Sequence, residues 1–350
     1  LSLTSLNFST TLLLRRFFIQ FLGTWALDDS NFTHDISVVR HARGKEFTMK
    51  RFNKCNVQNQ NLSDSIIRSK EIMTLRESAE SNRCISDLLA TYVDENCLWM
   101  LLGGSHPVMC MHFDELMLEA DGGQVLSETN AKFYAGCMVS ALESLHSTSV
   151  LYRMIDSQCI GVDMNGYLVL YDFTLACDLS SDTRTTTLCG SKEYFAPEQV
   201  SSGNGHSLPV DLWALGIFIC ELMNGRTPFQ SDDIADGGEK GMYDRIIAHQ
   251  SNTLSLQQAS KECVDFVNKL VVPDEKKRLV ASKLSKHKWF NQFDFDALKR
   301  GAMPAPFADV VQKRMENLYA GKDKDGKKAK KRSKVTSVPF LQDSSWFDEF

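Results

Sequence analysis

Apolar residues are spaced differently on the two sides of residue 103. Before it come short runs rich in β-branched and aromatic residues, and one stretch, Ser63 to Leu75, in which apolar residues recur at helical spacing. The strand-like runs are F-F-I-Q-F-L, H-D-I-S-V-V-R-H, K-E-F-T-M-K-R-F and C-L-W-M-L-L. This part of the pattern predicts a small β-rich unit with one main helix.

The chain after residue 103 is predicted to be mainly helical. Apolar residues recur at helical spacing over 131–146, 211–223 and 261–271. The face predicted to be buried in the first of these helices carries Phe133, Cys137, Met138, Ala141 and Leu145. The segment G-S-H-P at 104–107 is predicted to be a hinge. The order of elements therefore predicts an α+β fold, with a small β-rich lobe followed by a larger helical lobe.

Composition points to no nucleic-acid or membrane partner. The chain has 43% hydrophobic and 24% charged residues and a net charge of -5, which are ordinary values for a globular protein. The ten Cys form no C-x-x-C pair and no metal-ligand spacing with His, so we expect reduced thiols and neither zinc nor haem. Arg15 and Arg16 interrupt the apolar run near the start, which predicts a strand rather than a membrane span. We expect a cytoplasmic protein, with the nucleus as the alternative because of the basic run from Lys327 to Lys334.

Short motifs follow one another in a fixed order between residues 15 and 350. They include T-M-K at 48–50, K-F-Y-A at 132–135, L-Y-R at 151–153, D-F at 172–173, T-L-C-G-S-K-E-Y-F-A-P-E at 187–198, D-L-W-A-L-G at 211–216 and E-L-M-N-G-R-T-P-F at 221–229. In this order they resemble the protein kinase family, and most closely the cyclic-nucleotide-dependent kinases of the AGC group. The resemblance implies a two-lobed kinase fold that binds Mg-ATP in the cleft between its lobes.

The resemblance also implies a domain organisation. We expect an N-terminal extension over 1–14 with an incomplete start, a kinase N-lobe over 15–102, a C-lobe over 103–290 and an AGC-type tail over 291–350. Within the tail, the basic segment 322–334 is predicted to be disordered. The terminal Phe-x-x-Phe, formed by Phe347 and Phe350, resembles a motif that docks on the N-lobe. Upstream cyclic-nucleotide-binding domains are expected outside this chain.

Phosphoryl transfer depends on positioning and electrostatics, so the residues that perform it can be compared by position. Lys50 matches the Lys that binds the phosphates, and Asp172 matches the Asp that binds the metal. Met154 stands where the catalytic base is an Asp, Asp156 replaces the Lys of the catalytic loop, and Cys159 replaces the Asn that binds the second Mg²⁺. Met cannot accept a proton, and Asp156 inverts a needed charge. No intact catalytic set is expected.

The parts that resemble a nucleotide site depart from the family as well. Ser69 replaces the Glu that pairs with the phosphate-binding Lys, and Thr174 replaces the Gly of D-F-G. Thr48 and Gly161 replace apolar residues that contact adenine. These changes predict that ATP binding is weak or absent.

The glycine-rich loop can be placed in two ways. By an ungapped count from Lys50, L-D-D-S-N-F-T-H-D at 27–35 lies over it and keeps none of its three glycines. Alternatively, L-G-T-W at 22–25 begins the loop. Either placement argues against a normal phosphate cradle.

Regulatory and structural positions are better kept. Thr187 matches the activation-loop phosphorylation site and Arg153 the Arg that would bind its phosphate, although a solvated Thr is an equal alternative. Glu193 and Glu221 match acidic residues that contact a basic substrate, and they could equally receive an inhibitory pseudosubstrate segment. The resemblance implies structural roles for Glu198, Arg278 and Asp211.

Two functions remain open at this point. The first is a pseudokinase with a regulatory or scaffolding role, which binds a protein partner or a regulatory segment. The second is an active serine/threonine kinase with non-standard catalytic residues.

Overall fold

The described part of the chain folds into a β-rich lobe and a helical lobe, joined near residue 103. The computed structural model describes residues 6–7, 19–26, 34–41, 45–75, 82–103, 109–120, 125–201, 203–230, 237–251 and 254–320. Several predicted features lie outside these residues, among them the 104–107 hinge, the basic segment 322–334, and the terminal pair Phe347 and Phe350.

A six-stranded sheet forms the first lobe, with the order β1-β5-β6-β4-β3-β2. Its strands are β1 (Leu6–Asn7), β2 (Ile19–Ala26), β3 (His34–His41), β4 (Glu46–Asn53), β5 (Asp87–Val93) and β6 (Cys97–Gly103). β1 pairs in parallel with β5, and the other neighbours are antiparallel. The pairing brings β4, which carries Lys50, to the middle of the sheet.

Two helices follow β4. The side chain of Asn53 accepts a hydrogen bond from the Asn56 N–H and so begins α1 (Lys54–Asn59). The second helix, α2 (Ser63–Leu75), has the predicted bounds and buries one face. That face includes Ser69, which is 1% exposed.

The second lobe contains two small sheets and most of the helices. Its strands are β7 (Met109–His112), β8 (Val150–Leu151), β9 (Gly161–Asp163), β10 (Leu168–Val169) and β11 (Cys177–Asp178), paired in the orders β10-β9-β7 and β11-β8. Its helices are α3 (Phe113–Glu119), α4 (Glu128–Ser147), α5 (Pro197–Val200), α6 (Pro209–Asn224), α7 (Gly238–Ala248), α8 (Lys261–Leu270), α9 (Phe295–Arg300) and α10 (Ala308–Tyr319). Short 3₁₀ turns occur at Lys192–Tyr194, Glu275–Lys277, Ala281–Lys283 and Lys288–Phe290.

The three predicted apolar helices form the centre of this lobe as α4, α6 and α8. All five residues expected on the buried face of α4 are 4% exposed or less. The first turn of α6 contains Pro209, and Gly225 ends this helix with a left-handed φ of 75°. The α+β, two-lobed prediction is confirmed. In the described ranges, no helix has both the length and the apolar character needed to cross a bilayer.

Candidate functional site

A buried cluster of Lys50, Asp172 and Thr174 lies where the two lobes meet. Lys50 Nζ is 2.7 Å from Asp172 Oδ1, and both side chains are 1% exposed. Thr174 donates to the same Oδ1 from its backbone N–H at 2.9 Å and from its hydroxyl at 2.6 Å. Lys50 Nζ also lies 3.4 Å from the Thr174 hydroxyl oxygen. Donors from two residues therefore converge on one carboxylate oxygen inside the protein.

Aromatic rings enclose the Lys50 ammonium group. Nζ lies 4.7 Å from the centre of the Phe52 ring and 5.9 Å from that of Tyr171. Burial lowers the pKa of Lys50, and the neighbouring Asp172 carboxylate opposes this shift. Lys50 is thus stabilised by internal contacts, with little access from solvent.

On α2, the residue predicted to replace the family's Glu is Ser69. Ser69 is 1% exposed, and in the described part of the chain its Oγ has no hydrogen-bond partner. Glu71, two residues further along, is exposed. The cation of Lys50 therefore pairs with Asp172 rather than with α2.

Met154, Asp156 and Cys159 line a cleft of about 690 Å³. Met154 is 6% exposed and Cys159 is 3% exposed. Asp156 accepts hydrogen bonds from the Gln158 N–H at 2.9 Å and from the Ser191 hydroxyl. Asp156 thus has partners within the protein.

The same cleft is lined by the two acidic residues Glu193 and Glu221. Glu221 accepts a hydrogen bond from the Ser157 hydroxyl at 2.9 Å and another from the Tyr194 hydroxyl. Burial raises the pKa of Glu221 to about 7, although these hydrogen bonds act in the other direction. Glu193 accepts from the Thr227 hydroxyl at 3.0 Å. The cleft is therefore acidic, and its charge changes near neutral pH.

Asp211 fixes the segment that leads to Met154. Its carboxylate accepts from the backbone N–H groups of Tyr152 and Arg153, each at 2.8 Å, and lies 2.9 Å from His146 Nε2. These contacts accompany a left-handed Arg153, whose φ is 62°. Asp211 therefore holds the backbone of the loop in place.

Arg153 reaches towards Thr187 but contacts its backbone. Its Nη1 donates to the Thr187 carbonyl at 3.2 Å and its Nε to the Leu175 carbonyl at 2.7 Å. The Thr187 side chain is exposed. The geometry places a guanidinium group close to an accessible hydroxyl-bearing residue.

The pairing of β2 with β3 locates the loop that corresponds to the glycine-rich loop. Ala26 pairs with Asp35, so the connection spans 27–33, which lies outside the described residues. Residues 22–25 lie within β2, and the connection after this strand falls within the 27–35 segment given by the ungapped count from Lys50. The placement of the glycine-rich loop at 27–35 stays a prediction.

The contacts of the cluster fit a magnesium nucleotide poorly. Mg²⁺ prefers several oxygen ligands, whereas the Oδ1 atom of Asp172 is already bonded to Lys50 and Thr174, and Cys159 offers a thiol. Across the described ranges, no three His, Cys, Asp or Glu side chains are grouped as a metal site.

Next to the cluster lies His112, a buried residue that the sequence did not single out. Its ring centre is 5.9 Å from that of Tyr171, it is 4% exposed, and neither ring nitrogen has a hydrogen-bond partner among the described residues. Burial lowers the pKa of His112 to about 4, and Asp172 only partly offsets this effect. The ring is therefore neutral in the folded protein at neutral pH.

This lowered pKa makes His112 a source of acid sensitivity. Between pH 6.5 and about 4 the unfolded chain binds a proton at this residue and the folded one does not, so folding stability falls as the pH falls. Between pH 7 and pH 5, we expect the free energy of unfolding to fall by about 2 kcal/mol less in His112→Phe than in the wild type. Urea unfolding of both proteins at the two pH values measures this difference.

The comparison must be made as a difference between the two proteins. Burial also lowers the pKa of His206 to about 4, and the charge of Arg153 adds to the effect, so the variant keeps some acid sensitivity. An unchanged pH dependence in His112→Phe would contradict a buried neutral His112.

Comparisons with known proteins identify the family to which this chain belongs. The protein kinase domain family matches residues 31–290. The chain is 29% identical over 283 residues to the cGMP-dependent protein kinase egl-4 of Caenorhabditis elegans, covering 79% of this chain and 34% of that protein. It is 30% identical over 270 residues to cGMP-dependent protein kinase isozyme 1 of Drosophila melanogaster, covering 76% and 33%.

A human relative gives the same result. Over 243 residues the chain is 28% identical to human cGMP-dependent protein kinase 2, covering 68% of this chain and 30% of that protein. The chain spans about a third of the length of these relatives. It therefore belongs to the protein kinase domain family, and its relatives named here are cGMP-dependent kinases of the AGC group.

Proposed function

We propose that this protein kinase domain is a pseudokinase with a regulatory or scaffolding role, and that it binds ATP weakly or not at all. The observation that carries the proposal is the buried contact between Lys50 and Asp172, in which both side chains are 1% exposed. A Lys that binds phosphate must face the nucleotide, and an Asp that binds a metal must offer free oxygen lone pairs. Here Lys50 pairs with the Oδ1 atom of Asp172, which also accepts both hydrogen bonds from Thr174.

Among the described residues of the cleft, no acidic residue stands at the position that matches the family's catalytic base. Met154 stands at the base position, and a thioether cannot accept a proton at neutral pH. Asp156 places negative charge where the family places a cation on the transferring phosphate, which raises the barrier that the other residues must lower. Both changes act on the chemical step itself, so they add to any loss of nucleotide binding.

The alternative, an active serine/threonine kinase, would need a different base. Asp156 is the residue that favours it, because it carries a carboxylate in the same cleft as Met154. That carboxylate already accepts hydrogen bonds from Gln158 and Ser191, which would weaken it as a base. We therefore favour the pseudokinase.

A binding role is supported by the acidic residues that line the cleft. Glu193, Glu221 and Asp156 line it, and its volume of about 690 Å³ would admit side chains of a peptide. We propose that it receives a basic segment, either a pseudosubstrate or part of a protein partner. Because the pKa of Glu221 is about 7, such binding would strengthen as the pH rises through neutrality.

Regulation at Thr187 belongs to the same proposal. A phosphate there would lie near the Arg153 guanidinium, which now donates to the Thr187 carbonyl. Docking of Phe347 and Phe350 on the first lobe, and a cytoplasmic location, also remain predictions.

The proposal is tested by thermal unfolding of the wild type with and without millimolar Mg-ATP. We expect a shift in Tm of less than about 1 °C, because a ligand that binds weakly stabilises little at this concentration. Lys50→Ala and Asp172→Ala, measured in the same way, serve as controls for specific binding.

Two results would separate the functions. A saturable increase in Tm that either variant abolishes would overturn the claim of weak ATP binding. Phosphate transfer to a basic peptide by the wild type, lost in Lys50→Ala, would establish an active kinase. Transfer that survives in Lys50→Ala would come from a contaminating kinase.

A further inference from the structure

Met109 lies against the two residues whose identity departs from the adenine contacts of the family. It is the first residue of β7 and is 3% exposed. Its backbone N–H donates to the Thr48 hydroxyl at 3.1 Å. A Cβ built on Gly161 would lie 2.6 Å from Met109 Sδ and 2.9 Å from its Cγ. The Met109 side chain therefore rests directly on the bare backbone of Gly161.

The space that Met109 occupies lies between the strand of Lys50 and β9. Thr48 is on β4, two residues before Lys50, and Gly161 begins β9, which pairs with β7. By its resemblance to the family, the chain would hold the nucleotide base between these two positions. A residue that contacts both is thus in the place of the base.

Met109 accounts for both the Thr at position 48 and the Gly at position 161. With Gly at position 161, the Met109 thioether fits where a larger side chain would collide with it. With Thr at position 48, the buried N–H of Met109 has an acceptor. The pairing of β7 with β9 shifts by one residue between Met109 and Met111, which changes the direction of the Met109 side chain relative to a regular strand.

We infer that Met109 is the residue that excludes a purine from the space between Thr48 on β4 and Gly161 on β9, by filling the space of the base with the protein's own side chain. The inference rests on the proposed function and deepens it. It attributes weak binding of the base to the Met109 side chain, which fills its place. The Lys50–Asp172 contact would act separately, on the phosphates.

The first test is a double-mutant cycle on thermal stability. Gly161→Leu alone is expected to lower Tm by about 5–10 °C or to prevent folding, because the added side chain collides with Met109. Combined with Met109→Ala, the same change should cost much less, since the two side chains exchange places. Additive losses in the double variant would overturn the inference.

The second test is binding of adenosine, which has no phosphates and so probes the base space alone. We expect Met109→Ala to bind adenosine at least about tenfold more tightly than the wild type, because truncation opens a cavity that a flat ring can enter. Met138→Ala, which truncates an equally buried Met on α4, is the matched control and should not gain adenosine affinity.

The outcomes for this inference differ from those for the proposed function. Equal adenosine affinity in Met109→Ala and Met138→Ala would overturn the steric role of Met109, as would tight adenosine binding by the wild type. The proposed function would survive the first of these results, because it fails only if the wild type binds Mg-ATP or transfers phosphate through Lys50. If Met109→Ala does not fold, the inference is tested by comparing the stability of the double variant with that of Gly161→Leu alone. A double variant no more stable than Gly161→Leu would overturn it.

Discussion

Replacing Lys50 with Met is expected to lower the free energy of unfolding by about 3–5 kcal/mol, because it leaves the Asp172 carboxylate buried without its cation. The two groups are 2.7 Å apart and both side chains are 1% exposed. Water therefore cannot take the place of the lost ammonium group. Urea unfolding of wild type and variant at pH 7 measures the loss.

Two further variants make the result specific. Lys50→Met combined with Asp172→Asn should recover most of the loss, because an amide oxygen at position 172 still accepts the Thr174 N–H. Lys192→Met is the matched control, since it breaks an ion pair with Glu239 in which the side chains are 57% and 51% exposed. It should leave the urea midpoint nearly unchanged. Similar losses in Lys50→Met and Lys192→Met would contradict a buried Lys50–Asp172 pair.

Replacing Arg278 with Met is expected to cost about 3–5 kcal/mol of unfolding free energy, the second large effect. Its guanidinium donates twice to Glu198, at 2.5 and 2.7 Å, and the Arg278 side chain is fully buried. It also donates to backbone carbonyls, those of Val272, Pro209 and Pro273. The variant leaves a carboxylate and these carbonyls without their donor. Urea unfolding measures the change.

The neighbouring Lys277 provides the control for Arg278. Its ion pair with Asp274 is 3.4 Å long and the Lys277 side chain is 77% exposed, so Lys277→Met should hardly change the midpoint. The loss of unfolding free energy in Arg278→Lys should lie between those in Lys277→Met and Arg278→Met, because one ammonium group cannot make both bonds to Glu198. A stable Arg278→Met would show that this ion pair contributes little to the fold.

Local sequence patterns predicted the elements that have a clear period. α2 has the predicted bounds, Ser63–Leu75, because its apolar residues repeat at helical spacing and its sequence has no competing turn signal. β7 was not predicted. Its four residues, M-C-M-H, are all buried, and so short an apolar run has no period that separates a strand from a helix.

Site residues could be identified by position, but their contacts could not. The motifs identified Lys50, Asp172 and Thr174 as corresponding positions, yet Lys50 and Thr174 are 124 residues apart in sequence and meet only through tertiary packing. The sequence did not indicate Met109 for the same reason, because its proposed role depends on the missing side chain of Gly161, which lies on another strand. A polar Thr48 was the available signal, because a buried hydroxyl needs a partner.

The contact between Met109 and Gly161 bears on how this chain could change over evolutionary time. A larger residue introduced at 161 in one step would place its Cβ 2.6 Å from Met109 Sδ, so the Met109 side chain would have to move to accommodate it. Met109 would have to become smaller first, and that step alone opens a destabilising cavity. The contact thus couples positions 109 and 161: each single change is expected to lower stability, and the two changes together are expected to cost less than their sum.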